Sequence, residues 1–261
     1  MQGDSALQNQ INDVDQEIAI VIPAYNEQRS IRQVVEQSLS FLPNVIVVDD
    51  GSKDNTITQL EGLPIILLQN KENCGKATCL LQGFFFFLKQ GCAAVICLDA
   101  DTQHDPVDIP RFLKAHHAHP NDIILGSRLY NREFAPRARL FANKLADFFI
   151  SWAAGSSIVD TQSGYRLYPK ALMQDCLNLY SGKAGFVFES EVLIDGVRGG
   201  FSVKSIGINS KYPANARKSH YKPTPDSIKI GLMIARKLIL RGMCLPSLFR
   251  ALHHPFSLLD F

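Results

Sequence analysis

The chain of 261 residues reads as an α/β domain, a mainly parallel sheet with helices on both faces, followed by a C-terminal helical appendage. Three observations predict this. From Glu17 to Arg128, short apolar, β-branched runs alternate with longer amphipathic segments. The runs are continuously apolar, as strands covered on both faces must be. Each of four runs ends directly in a polar cluster, which a parallel sheet gathers along the single edge formed by its strand carboxyl ends.

The elements follow in order. Ile18 to Ile22 is the first expected strand, and Gln28 to Leu39 a helix with Ile31, Val34, Val35 and Leu39 on one face. Val45 to Val48 and Pro64 to Leu68 are strands, and Gly75 to about Gln90 is the helix that leads to a strand at Ala94 to Leu98. A helix around Pro110 to His117 precedes a strand at Ile123 to Leu125. The regular alternation then stops. Ala138 to Ala154 reads as a helix, Phe201 to Ile208 contains a strand, and an apolar helix runs from Asp226 to about Arg241. The expected division is a disordered polar tail at 1–16, the α/β domain at 17–209, a basic active-site loop at 210–225 and an amphipathic appendage at 226–261. In the appendage Ile228, Leu232, Ala235 and Ile239 read as core-facing, while Lys229, Arg236, Lys237 and Arg241 share one arc. Such a segment either lies on a membrane surface or packs on the domain.

Composition excludes several classes. With 46% hydrophobic and 20% charged residues the chain is not disordered as a whole. Lys plus Arg number 27 against 25 Asp plus Glu, a net of +2, so no bulk charge points to nucleic acid. The six cysteines contain no C-x-x-C pair and read as reduced core thiols of a cytoplasmic protein. No run reaches the roughly 18–20 apolar residues of a membrane span. The polar N-terminus lacks the features of a secretion signal, and no phosphate-binding G-x-x-x-x-G-K-[ST] loop is present.

The four strand-end clusters carry the chemistry. Asp99 and Asp101 stand two apart after a buried strand and can face one point, which suits a hard divalent cation, Mg²⁺ or Mn²⁺, bridging a diphosphate. Such a pair alone is equally a solvated turn; three further polar strand ends beside it favour function. Asp49 or Asp50 can accept a hydrogen bond from a nucleobase edge, or cap the following segment. Pro23-Ala-Tyr-Asn-Glu27 offers an aromatic face and a carboxylate to a nucleoside, or forms an ordinary turn into a helix.

Together PAYNE (23–27), VDDGS (48–52), DADTQH (99–104), GSR (126–128) and DTQSGYR (160–166) resemble the inverting family 2 glycosyltransferases of the GT-A fold. Within them the likeness is to the dolichyl-phosphate mannosyltransferase and polyprenyl-phosphate glycosyltransferase group. The resemblance implies a Rossmann-like GT-A domain, a nucleotide-sugar donor and a divalent metal. Pro23, Tyr25, Glu27, Asp49 and Asp50 would line the nucleoside pocket, with Asp99 near the ribose and diphosphate. Asp101 would hold the metal with Asp99, Gln103 would sit beside it, and Arg128 would contact sugar or phosphate. Arg139 and Asn143, four apart on one helix face, resemble the residues that hold an acceptor lipid phosphate. The basic loop departs from the better-known members; its Arg217 and His220 are read as further acceptor-side contacts, with a plain solvated loop as the alternative. Relatives that glycosylate hydroxyls carry an Asp base in a motif absent here, where Phe188-Glu-Ser-Glu191 stands. The expected activity is transfer of a sugar to a lipid phosphate on the cytoplasmic face of a membrane. A hydroxyl acceptor, such as a glycan or glycolipid, or a silent nucleotide-sugar-binding protein are the alternatives.

Overall fold

In the computed structural model, residues 17–128, 137–180, 187–209, 223–253 and 258–259 are described. The expected tail at 1–16 and most of the basic loop, including Arg217 and His220, lie outside them. The apolar runs become strands β1 (Ile18–Ala24), β2 (Val45–Asp49), β3 (Ile66–Gln69), β4 (Ala94–Cys97) and β5 (Ile123–Ser127). Three more strands, β6 (Arg166–Pro169), β7 (Val203–Gly207) and β8 (Leu258–Leu259), complete one sheet in the order β3-β2-β1-β4-β6-β5-β7-β8. Every pairing is parallel except those of β6, which runs antiparallel to both β4 and β5.

Helices cover both faces: α1 (Ile31–Leu39), α2 (Lys76–Lys89), α3 (Ile109–Ala118), α4 (Arg137–Ala154), α5 (Lys170–Leu179), α6 (Phe188–Arg198), α7 (Pro223–Ile239) and α8 (Leu245–His253). Strand β1 shows why the sheet needs both layers. Ala19 and Val21 join a core with Phe84, Phe87 and Leu193, whereas Ile18, Ile20 and Ile22 join a second core with Ile31, Phe112 and Tyr165. Alternation along a strand sends successive side chains to opposite faces, so a strand apolar at every position is stable only with helices on each side.

Several expectations shift. Helix α1 starts at Ile31 and not at Gln28, because the preceding residues are tied into loops: Asn26 N–H donates to Ser52 Oγ at 2.8 Å and Glu27 N–H to Thr56 Oγ1 at 2.7 Å. Strand β6 and helix α5 were not anticipated; a four-residue strand headed by an arginine has no apolar signature. The segment 226–261 is not wholly helical, since Leu258 and Leu259 return to the sheet and pair with Ser205 and Ile206 of β7. Of the cysteines expected in the core, Cys74 is exposed and Cys244 half-buried, while the other four are buried and all six are free.

The largest correction concerns α7. Ile228, Leu232, Ala235 and Ile239, expected to face the core, are exposed, and Ile230, Ile234 and Leu238 are buried instead. Both sides of this helix are apolar, so periodicity cannot choose between them. Charge does. Lys237 Nζ meets Asp195 Oδ2 of α6 at 2.6 Å, and Arg241 approaches the same carboxylate at 3.7 Å. With Lys237 turned inward, the stripe at Ile230, Ile234 and Leu238 must follow it.

One contact tests this packing. Helix α2 crosses β1 at Gly83, where an added Cβ would lie 2.6 Å from a Val21 methyl. Gly83→Ala gains about 1 kcal/mol of helix propensity but incurs an overpacking cost of about 1–3 kcal/mol. Thermal denaturation is expected to show a melting temperature lowered by about 2–6 °C, with Val21→Ala restoring part of it in the double variant.

Candidate active site

The carboxyl ends of β1, β2, β4 and β5 lie on one edge, and the reversal of β6 delivers a fifth segment to the same place. In an antiparallel strand the amino end meets its neighbours' carboxyl ends, so the 160–165 loop before β6 arrives beside Asp99 and Arg128. Arg166 heads this strand in register with Cys97 and Leu125, fully buried at 1% exposure. Its guanidinium donates to three carbonyls, Ser163 O at 2.8 Å, Thr161 O at 2.8 Å and Glu189 O at 2.6 Å, and to Tyr168 Oη at 3.4 Å. One cation thus fixes the loop and the first turn of α6 together.

At the centre stands Lys76, the first residue of α2. Its Nζ lies 2.6 Å from Asp99 Oδ1 and 3.2 Å from both oxygens of Glu189. Burial alone would lower the lysine's affinity for its proton, but the two carboxylates hold it above the ordinary value. Burial would likewise raise Asp99, yet Lys76 outweighs it and brings this carboxyl down to about 2. Gly164 closes over the cluster: a Cβ there would sit 2.7 Å from Lys76 Nζ and 3.2 Å from Asp99 Oδ2. A larger residue there would have to push the lysine head out of its place between the carboxylates.

Asp101 is held differently. Gln103 donates to it twice, from N–H to Oδ1 at 3.0 Å and from Nε2 to Oδ2 at 2.8 Å. Burial and then the Asp99 charge push its carboxyl up. His104 packs behind, its ring 5.2 Å from that of Tyr165, with Nδ1 accepting the Asp99 N–H at 3.2 Å. Burial drives its pKa down to about 4, so it is neutral, with its proton on Nε2.

The nucleoside candidates are knit to one another. Asp50 accepts from Cys74 N–H and Gly75 N–H, both at 2.8 Å, and from Asn70 Nδ2 at 3.0 Å, so its carboxylate folds the loop that starts α2. Asp49 Oδ2 accepts from Ser52 N–H at 3.1 Å, while its Oδ1 is buried with no hydrogen-bond partner among the described residues. A buried carboxylate oxygen left so is costly unless a ligand donor meets it. Gly51, at φ +73°, lets this turn press on Glu72, whose backbone a Cβ would meet at 2.8 Å. Pro23, Tyr25 and Glu27 are half-buried at the end of β1, and Glu27 Oε2 accepts from Ser30 Oγ at 3.0 Å.

On the far side Arg128 follows β5. Its Nε and Nη2 donate to the two oxygens of Asp160 at 2.9 and 2.6 Å, and its N–H to Asp160 Oδ2 at 2.7 Å. Asn143 is half-buried on α4; Arg139 belongs to the same helix, but its side chain lies outside the described residues. The structure thus brings Asp99, Asp101, Gln103 and Arg128 to one edge with Asp49, Asp50, Tyr25 and Glu27.

Sequence reasoning passed over Lys76, although a signal existed. A lysine at a helix N-terminus opposes the helix dipole, so its presence there calls for compensating anions. The two carboxylates of Asp99 and Asp101 are hard oxygen donors suited to Mg²⁺ or Mn²⁺. Among the described residues no third His, Cys, Asp or Glu joins them. The chemistry of this donor set fits such a cation, and Asp99 and Asp101 are the residues that would hold it.

Comparison with known proteins accords with this geometry. The profile described as Glycosyl transferase family 2 matches residues 19–176. The chain is 26% identical to polyprenol monophosphomannose synthase of Mycolicibacterium smegmatis, over 86% of this chain and 92% of that one. It is 29% identical to UDP-N-acetylglucosamine–dolichyl-phosphate N-acetylglucosaminyltransferase of Methanococcus voltae, over 61% and 72%. Glucosyl-3-phosphoglycerate synthase of Mycobacterium tuberculosis, solved with Mn²⁺, UDP and phosphoglyceric acid, superposes with a TM-score of 0.61 at 18% identity, covering 86% of this chain and 78% of that one. The architecture is therefore that of a GT-A glycosyltransferase.

Lys76→Met leaves Asp99 and Glu189 without their cation and is expected to cost about 1–3 kcal/mol at pH 7, less than a fully buried pair because each group is partly exposed. The pH dependence has a definite sign. Asp99 is depressed in the fold, so its contribution is complete above the unfolded value of about 3.9 and lost as pH falls toward 2. Urea denaturation of both proteins across pH should show a gap widest near neutrality that closes in acid.

Proposed function

The chain belongs to glycosyl transferase family 2, and from this premise we propose that it moves a sugar, with inversion, from a nucleotide-diphosphate donor to a polyprenyl-type lipid phosphate. The observation that carries the acceptor class is the engagement of Glu189. An alcohol is a poor nucleophile and needs a carboxylate free to take its proton. Glu189 is bound to Lys76 at 3.2 Å, and Glu191 lies 3.8 Å from Lys237. A phosphate acceptor, with a second pKa of about 6, is already anionic near neutral pH and needs no base. The names of the two sequence relatives, both lipid-phosphate glycosyltransferases, support the same choice.

In this reading Pro23, Tyr25 and Glu27 pack on the nucleoside, and the buried Asp49 Oδ1 takes the base's N–H, with Asp50 holding the surrounding loop. Asp99 and Asp101, with Gln103 beside them, would hold Mg²⁺ or Mn²⁺, which when bound neutralises charge on the leaving diphosphate. Arg128, Arg139 and Asn143 orient the acceptor phosphate, and Arg217 and His220, which lie outside the described residues, are assigned to the same acceptor from the sequence. The domain proper spans 17–209, and 226–261 is an appendage that meets the membrane from the cytoplasmic side. None of the described helices is long and apolar enough to cross a membrane. Contact comes instead from exposed Ile228, Leu232 and Ile239 on α7, Leu245 and Phe249 on α8, and Phe141 and Leu145 on α4, with Arg236 and Arg250 nearby for anionic lipid.

A thermal-shift screen of uridine and guanosine diphosphate sugars with Mn²⁺ identifies the donor, since a ligand at about 100 times its Kd adds about 2.7 kcal/mol of stability. With that donor and farnesyl phosphate, Asp101→Asn should abolish metal-dependent transfer. Arg139→Ala should lower transfer about 10- to 100-fold while donor affinity barely changes. Loss of several orders of magnitude in Glu189→Gln with Arg139→Ala harmless would mean an alcohol acceptor; donor binding without transfer in any assay would mean a silent binding protein.

The surface contact is checked by flotation with vesicles containing anionic phospholipid. The pair Leu232→Glu and Phe249→Glu should release the protein while transfer to farnesyl phosphate persists. Salt should weaken the native binding.

A further inference from the structure

The reaction as proposed needs Arg128 and α4 to meet one phosphate, but they belong to separate elements, one ending β5 and the other packed on α6 and α8. The structure supplies a link between them. Asp147 stands on α4 four residues after Asn143, hence on the same face. Its carboxylate reaches across to the loop before β6. Oδ2 accepts Asp160 N–H at 3.1 Å, and Oδ1 accepts Thr161 N–H at 2.8 Å and Thr161 Oγ1 at 2.7 Å.

Those bonds hold Asp160 in a conformation that non-glycine residues rarely adopt, φ +57°. From there its own carboxylate accepts the backbone N–H, Nε and Nη2 of Arg128. The pair is well buried, with side-chain exposures of 11% and 4%. A guanidinium gripped along the edge formed by Nε and Nη2 has one orientation left. Among the described residues three donors converge on Asp147 at both of its oxygens, which suits a group that only accepts. An amide would turn its NH₂ toward an N–H.

We propose that Asp147 and Asp160 are positioning residues that lock Arg128 to helix α4, so that Arg128 and Asn143 face one acceptor phosphate as a single rigid unit. This rests on the assignment of Arg128 and Asn143 to the acceptor phosphate and adds the device that sets their separation. Neither aspartate touches substrate. Their effect is on the geometry of acceptor binding; the nucleoside candidates Tyr25, Glu27, Asp49 and Asp50 stand at the ends of β1 and β2 or on the loops after them.

The test is equilibrium binding of farnesyl phosphate, with UDP and GDP in Mn²⁺ as the donor-side control, to full-length variants. Asp147→Asn should weaken farnesyl phosphate about 10-fold, with nucleotide affinity unchanged and a folded melting transition. Thr161→Val, which removes the hydroxyl bond to Asp147 along with a longer one accepted from Gln162 Nε2 at 3.4 Å, should weaken it about 3-fold and stands in if Asp147→Asn fails to fold. The discriminating measurement is the double variant. If Asp147 acts through Arg128, then adding Asp147→Asn to Arg128→Ala should cause no further loss, whereas a general structural defect would add its full effect. Additive losses, or an unchanged farnesyl phosphate affinity in both Asp147→Asn and Thr161→Val while Arg128→Ala loses it, overturn the positioning role and leave the acceptor assignment standing. An unchanged affinity in Arg128→Ala itself overturns both.

Discussion

A buried guanidinium organises this molecule. Arg166 sits inside the sheet, where an unpaired cation would be very costly, and it is tolerated because the chain turns carbonyls toward it from two directions. Satisfying that one side chain requires the 160–164 loop to curl back over the strand end and requires α6 to begin where Glu189 O can be reached. Both segments then lie over the carboxyl edge of the parallel strands. The reversed β6 accordingly acts as a clamp, and the candidate site groups on either side of it are tied together through the hydrogen bonds of its first residue.

A chain of charge extends outward from that clamp. Glu189, fixed through its carbonyl, presents its side chain to Lys76. Lys76 in turn holds Asp99 ionised beside an Asp101 whose carboxyl is pushed the other way. These two neighbouring carboxylates have opposed tendencies, the Lys76 charge fixing one as an anion while burial works against the other. This edge of the sheet is thus preorganised electrostatically by the protein's own charges.

Much of this was legible in the residues. The five parallel-strand runs and the four polar strand ends were readable because a strand buried on both faces leaves an unmistakable apolar run, and because ligand groups follow such runs directly. What escaped had physical reasons. Strand β6 hides because its first residue is charged and its second core-facing pair includes a tyrosine. Lys76 carries no motif, and its meaning depends on two carboxylates distant in sequence, one of them 113 residues away. Asp147 looks like any polar position on a helix until the loop it anchors is placed. Helix α7 misled for a different reason: an all-round apolar helix contains two self-consistent stripes, and the one buried was selected by the Lys237 contact with Asp195.

The return of Leu258 and Leu259 to β7 has a consequence for how the protein avoids its own copies. Without β8, the backbone of β7 would stand as a bare margin of unpaired N–H and C=O groups, a template on which another chain's strand can add. Two residues are enough to occupy Ser205 and Ile206, yet two residues are also a weak seal. Loss of Leu258 and Leu259 therefore opens a sticky margin on the side of the sheet farthest from β3. The damage would show as association between molecules long before it showed as loss of the fold.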